Sequence, residues 1–222
     1  ISEGVNSGDT AWMLVASALV LIMTPGLAYF YGGMVNTKNV ISTMLQSFIA
    51  MGVISIIWVV VGYSLAFGES IGGFVGNPMS HFMFKGVLDA KPWGTIPAIV
   101  FAFFQLKFAV ITPALVTGSL AERINFKSYV VFMVLFSLLI YAPLAHMTWA
   151  PGGFLFEMGV LDFAGGTVVH MSAGWAALAG AIYLKRRRSH VEGSFLPPAN
   201  IPYVLLGTGL LWFGWFGFNA GS

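Results

Sequence analysis

The 222-residue chain is 58% hydrophobic and 8% charged, with a formal net charge of +2 and a mean hydropathy of +0.86. A soluble domain is about 25% charged, so most of this surface has to face a bilayer rather than water. No basic face is available for nucleic acid, and the lack of cysteine excludes a disulfide framework, an iron–sulfur cluster and thiol chemistry.

The chain opens Ile-Ser-Glu-Gly, a short polar stretch that reads as a processed or trimmed start. Crossing a hydrocarbon core of about 30 Å takes roughly 20 apolar residues in helix, with every backbone group paired internally. The first segment that qualifies runs from about Ala11 to Gly33, with Asp9 and Thr10 as candidate N-caps. A second runs from about Val40 to Phe67. Gly68 to Thr95, rich in Gly, Pro and polar residues, reads as an irregular surface loop. The third span covers about Ile96 to Leu120, the fourth Tyr129 to Met147 and the fifth Phe163 to Leu184. The sixth starts near Pro202, a residue suited to a helix start, and continues to Ser222. The expected class is therefore an all-α integral membrane protein, a polytopic helix bundle. Its 27 glycines suit helices that approach closely in lipid.

Placing the N-terminus outside, extracellular or periplasmic, puts Lys38, Arg123, Lys127, Lys185, Arg186, Arg187 and Arg188 in inner connections. Only Lys85 and Lys91 then lie outside, the asymmetry expected of a multi-pass protein of the cell membrane. The run ending at Arg188 reads most simply as an orientation anchor, with a lipid or partner site as the alternative. Gly26-x-x-x-Phe30 in the first span is echoed by Gly214-x-x-x-Phe218 in the sixth. Five spans separate the copies, which fits an inverted repeat. On that reading residues 1–222 form one transmembrane domain, a five-helix repeat plus the first helix of a second.

Ionisable groups deep in a span are candidate functional groups by default, and two qualify, Lys107 in the third span and His170 in the fifth. An imidazole there is either a packed structural group or one that exchanges protons near neutral pH. Gly165 and Gly166 just before His170 allow another helix or a pore to come close. Phe104, Phe108 and Leu115 share a stripe of the third span, as Trp215, Phe218 and Ser222 do in the sixth. Such stripes are either ordinary packing or, if they face each other, a box that attracts ammonium ions through cation–π contacts. Trp149 sits just past the fourth span, where a tryptophan often marks the membrane interface, and Asp162 reads as an N-cap. Glu122-Arg123 reads as an ion pair or helix terminus, and His81, His146 and His190 as solvated or interfacial groups. Nothing points to an enzyme or a cofactor: no metal-ligand cluster, no nucleophile spaced with a base, no phosphate loop.

Taken in order, Thr24-Pro-Gly-Leu-Ala-Tyr-Phe30-Tyr31-Gly-Gly33, Gly62-Tyr-Ser-Leu-Ala-Phe-Gly-Glu69, Ala121-Glu122-Arg123, Ala145-His-Met-Thr-Trp149, Asp162-Phe-Ala-Gly-Gly-Thr-Val-Val-His170 and Trp215-Phe-Gly-Phe218-Asn-Ala-Gly-Ser222 form a series. From about residue 10 to its end the chain resembles the ammonium transporters of the Amt/MEP/Rh superfamily, nearer the microbial Amt proteins than the Rh glycoproteins. The resemblance implies an eleven-helix inverted-repeat fold, a homotrimer in the bilayer, and ammonium, ammonia or methylammonium as cargo. It implies ammonium recruitment by Phe104, Phe108, Trp149 and Ser222, and closure of the pore entrance by Phe108 and Phe218. It also implies a narrow apolar pore with His170 as the first of two histidines, Leu115 and Trp215 in its wall, and Asp162 organising the site from behind. The second histidine belongs to the half absent here, so one wall of the expected pore is open to lipid.

Lys107 departs from the family pattern. At about 100° from Phe108 on the helical wheel it is expected to point away from the pore, toward a subunit interface or the vestibule. The implied mechanism has a physical basis. Potassium and ammonium are alike in size and charge, but only ammonium sheds its charge, and a dry passage penalises any ion that cannot. Net electrogenic transport and neutral ammonia conduction both fit. Two other readings stay open: an ammonium sensor whose cytoplasmic regulatory or output domain lies beyond this sequence, and a channel for water or a small neutral solute.

Overall fold

The structure, a computed structural model, describes residues 4–194 and 196–222; residues 1–3, read above as a processed or trimmed start, lie outside them. Six helical runs are long and apolar enough to cross a membrane: α1 (Ser7–Met34), α2 (Thr37–Phe67), α3 (Ala98–Leu120), α4 (Phe126–Glu157), α5 (Gly166–Leu184) and α6 (Ile201–Gly221). Successive runs reverse direction, so the start of α1, the 68–97 connection, the 158–165 connection and Ser222 gather at one end of the bundle. There the Asn6 amide donates to the Thr95 carbonyl at 2.8 Å and the Trp12 indole to the Ala220 carbonyl at 2.9 Å.

Asparagines start four of the runs by accepting an orphan amide of the first turn. Asn6 takes the amide of Asp9 at 3.0 Å, Asn36 that of Lys38 at 3.1 Å, Asn125 that of Ser128 at 2.8 Å and Asn200 that of Tyr203 at 3.0 Å. Neither Asp9 nor Thr10 is the cap of α1. The helix continues outward through polar Ser7 and Gly8 until Asn6, whose backbone is extended, stops it. Pro202 does sit in the first turn of α6.

Three wide π-turns interrupt the α-helical ladder, at Trp58–Gly62, Ser137–Tyr141 and Gly166–Met171. The first two carry Trp58 and Tyr141 into the interior, where both are buried, and Trp58 is held by its indole N–H on the Ala102 carbonyl at 3.1 Å. The fourth run outlasts the expected span end. Its ladder continues through the Ala150 amide on the His146 carbonyl, so Trp149 belongs to the helix rather than to an interfacial loop beyond it.

His146 is correspondingly not solvated. It is fully buried, with Nδ1 3.1 Å from the Ala66 carbonyl and Nε2 2.9 Å from Ser70 Oγ. His81 is half-buried with its ring 5.4 Å from that of Tyr63, and only His190 is exposed as expected. The 68–95 segment is more ordered than an irregular loop: strands β1 (Ser70–Ile71) and β2 (Val75–Gly76) pair antiparallel, Ser70 with Gly76 and Ile71 with Val75. This hairpin is pinned to the end of α4 by the Phe154 amide on the Gly73 carbonyl at 2.7 Å.

α3 is the most enclosed run. α1 and α6 lie antiparallel along a seam of small residues: a Cβ at Gly217 would sit 2.6 Å from the Ala16 carbonyl oxygen, and one at Gly26 would sit 2.9 Å from Leu210 Cβ. Hydrogen on those glycines is what lets the backbones meet. At the opposite end of the bundle, Glu122 accepts from the Asn36 amide at 2.7 Å and Asn39 Nδ2 at 3.0 Å, and pairs with Arg187 at 3.6 Å. Arg123 donates to the Lys185 and Ser119 carbonyls. The two neighbours thus do not pair with each other; both tie the α5–α6 connection to the end of α3, and Glu122 ties the α1–α2 connection as well.

Candidate functional site

A cavity of about 470 Å³ opens at the N-terminal end of the bundle. Its walls and base include Phe104, Phe108, Trp149, Asp162 and Ser222, which come from α3, the last part of α4, the 158–165 connection and the end of α6. The Phe104 and Phe108 rings, one helical turn apart, meet at 4.9 Å, and Phe108 meets Trp149 edge to face at 6.2 Å. Ser222 turns its hydroxyl back to the Phe218 carbonyl at 2.7 Å, which leaves the oxygen lone pairs for an incoming donor.

Below the cavity Phe108 and Phe218 pack at 4.4 Å, and each is 1% exposed, so the base is sealed by two rings. Directly beyond them the His170 ring lies 5.8 Å from Phe218 and is stacked on Trp215 at 5.8 Å with a 10° interplanar angle. His170 and Trp215 are both exposed along the flank of the bundle. The two stripes read from sequence therefore do face each other, and they form one continuous file of rings. Leu115 stands apart from it, seven residues past Phe108 and so about 10 Å further along the helix; its carbonyl accepts the Tyr31 hydroxyl at 2.8 Å.

Asp162 does more than an ordinary N-cap. Oδ1 accepts the amides of Gly165 and Gly166 at 2.6 and 2.8 Å, and Oδ2 those of Thr167 and Val168 at 2.9 Å each. One carboxylate thus satisfies four orphan donors at the start of α5, and charge-assisted bonds of this kind are the strong ones. The Asp162 carbonyl meanwhile accepts the Trp149 indole N–H at 3.1 Å. A single residue therefore fixes both Trp149 in the cavity wall and the π-turn that presents His170. Gly165 adopts φ +94°, a left-handed conformation that glycine takes without strain.

Lys107 lies outside the cavity, as its position on the helical wheel predicts. Its Nζ rests 5.6 Å from the centre of the Phe103 ring, in a separate groove with Leu14 and Leu21 of α1. The sequence pattern did not single out several cavity-lining residues, among them Trp12, Trp93, Thr95 and Gln105. Asp9, read only as a cap, lines the cavity too. The polar residues just ahead of α1 and α3 were the available signal.

The model of the Ammonium Transporter Family matches residues 11–222. The chain belongs to the ammonium transporter family. An ammonium transporter from Aquifex aeolicus is 50% identical to it over 218 residues, which cover 98% of this chain and 50% of that protein. One from Bacillus subtilis is 46% identical over 217 residues, covering 97% of this chain and 52% of that protein. The chain thus spans about half the length of the curated relatives it matches. Among solved structures, Saccharomyces cerevisiae Mep2 superposes with a TM-score of 0.90 at 36% identity, covering 99% of this chain and 50% of that one. A structure described as a sensor Amt protein matches with a TM-score of 0.87 at 34% identity, covering 96% of this chain and 54% of that one. As a family member with six membrane-capable runs, this chain is part of a multi-pass membrane protein.

Proposed function

We propose that this chain is the first part of an ammonium transporter that captures ammonium over Phe104, Phe108, Trp149 and Ser222 and passes ammonia through the Phe108–Phe218 constriction. The observation that carries the reading is the sealed aromatic base of the cavity with an imidazole immediately behind it. A cation over aromatic faces gains from the ring quadrupoles, but beyond two packed phenylalanines a permanent ion loses its hydration with nothing to replace it. Ammonium escapes that penalty by leaving a proton behind. The committed Asp162 oxygens hold the site in shape, and His170, next in the file, is placed to take part in carrying the proton. Leu115 and Trp215 line the apolar passage further on.

The full protein in this reading is an eleven-helix inverted repeat, residues 1–222 being the first five-helix repeat and the first helix of the second. The remaining half covers the flank where His170 and Trp215 are exposed and adds the second pore histidine. Three such subunits form the homotrimer in the cell membrane, with the N-terminus outside. The sensor reading is less favoured, because relatives 50% and 46% identical over 98% and 97% of this chain are described as ammonium transporters.

Uptake of labelled methylammonium by the full-length protein in liposomes tests the proposal. Saturable uptake that ammonium competes for and potassium does not is the expected result; potassium competing as well as ammonium overturns it. Solid-supported-membrane currents then address His170, where His170→Ala is expected to abolish or sharply reduce charge movement. An unchanged current removes the imidazole from the proton route.

A further inference from the structure

The cavity mouth carries a charged group that the recruitment site does not use. Two acidic side chains line this cavity, Asp9 and Asp162. Both oxygens of Asp162 are taken up by four backbone amides, and a carboxylate offers about four lone-pair sites, so its capacity is full. Asp9 differs. It is exposed, and its Oδ2 accepts the Thr95 hydroxyl at 2.5 Å, while Oδ1 accepts no hydrogen bond among the described residues. Two indoles stand with it in the lining. Trp12 spends its N–H on the Ala220 carbonyl and is 42% exposed. Trp93 stacks one face on Phe101 at 4.2 Å and remains 37% exposed.

We propose that Asp9, with Trp12 and Trp93, forms a first capture station for a small ammonium-type cation at the mouth of the cavity, ahead of the ring-lined recruitment site. The inference rests on the transport reading and deepens it. A fixed carboxylate at a concave opening with low-dielectric walls concentrates cations and speeds their arrival, an effect that salt screens. It does nothing for the passage beyond the Phe108–Phe218 base. Asp9 therefore acts on the apparent KM and leaves Vmax alone, and the station works through the carboxylate's charge, which the Thr95 hydroxyl neither supplies nor removes. The competing account makes Asp9 a structural tether between the start of α1 and the connection ahead of α3, helped by the favourable placement of an acid at a helix N-terminus.

Initial rates of labelled methylammonium uptake by the full-length protein in liposomes separate the two, measured at low and at high ionic strength on preparations matched for thermal stability. Asp9→Asn is expected to raise KM roughly three- to tenfold at low ionic strength with Vmax unchanged, and the difference is expected to vanish at high salt. Asp9→Glu and Thr95→Val, which keep the charge, are expected to retain the wild-type KM. A wild-type KM for Asp9→Asn at low salt overturns the capture station alone, as does a Thr95→Val variant that behaves like Asp9→Asn. Absence of saturable uptake by the wild-type protein overturns the transport reading and the capture station together.

Discussion

At the scale of single residues, Asp162 is the pivot of the site, because one carboxylate holds four amides and its own carbonyl holds Trp149. Asp162→Ala is expected to lower stability by about 2–3 kcal/mol, the range of a lost cap with charge-assisted bonds. Asp162→Asn, which keeps one accepting oxygen, is expected to fall between the variant and the wild type in thermal unfolding. Equal melting of all three would show that the start of α5 is held by something else. The residue's place at a helix start was legible, because capping is local and follows from residue type. That it satisfies a whole first turn was not, since this depends on the left-handed turn at Gly165. His146 shows the limit more sharply: its partners Ala66 and Ser70 are 80 and 76 residues away in the chain, and no local pattern announces them.

At the scale of helices, the apolar runs alone located all six spans, because a bilayer demands long uninterrupted hydrophobic stretches whatever the packing. The ends were less legible. Polar residues such as Ser7 and Gly8 continue α1 once a capping asparagine is in place, and the Ala145–Trp149 stretch stays helical although its composition turns mixed. Gly26 and Gly214 lie on facing helices, in the seam between α1 and α6. Gly207 lies in that seam against the backbone of Phe30, whereas Gly52 in α2 has open space around it. Gly207→Leu is expected to cost about 3 kcal/mol or more by overpacking, and Gly52→Ala to be neutral or stabilising by about 0.5–1 kcal/mol. Thermal unfolding in detergent checks the pair; similar behaviour of the two variants would mean that α1 and α6 do not depend on backbone approach.

At the scale of the molecule, the two ends differ in chemistry. The end with the cavity offers rings, Asp9 and Ser222, while the other gathers Arg123, Arg186, Arg187 and His190 around Glu122. The proposed orientation, with the N-terminus outside, would turn the basic end to the cytoplasm, in keeping with the positive-inside rule. These 222 residues hold no cysteine, so single thiols introduced in them report orientation once any cysteine in the remaining half has been replaced. Asp89→Cys is expected to react with an impermeant maleimide in intact cells, and Ser189→Cys only after lysis; the reverse pattern would invert the topology. Sequence fell short here for a plain reason. Charge counts speak to orientation, but the cavity is assembled from residues as distant as Asp9 and Ser222, and only the bundle brings them together.

The seam between α1 and α6 has one more consequence, for biogenesis. A ribosome feeding this chain into the translocon releases α1 long before α6 has been synthesised, so the small-residue face of α1 spends that interval against lipid tails. The helix backbone satisfies itself during the wait, but the Trp12 indole lacks its Ala220 carbonyl, and the latch closes only when Ile201–Gly221 arrives. Nascent chains halted before residue 201 are thus left with a first helix whose small-residue face has no α6 to cover it.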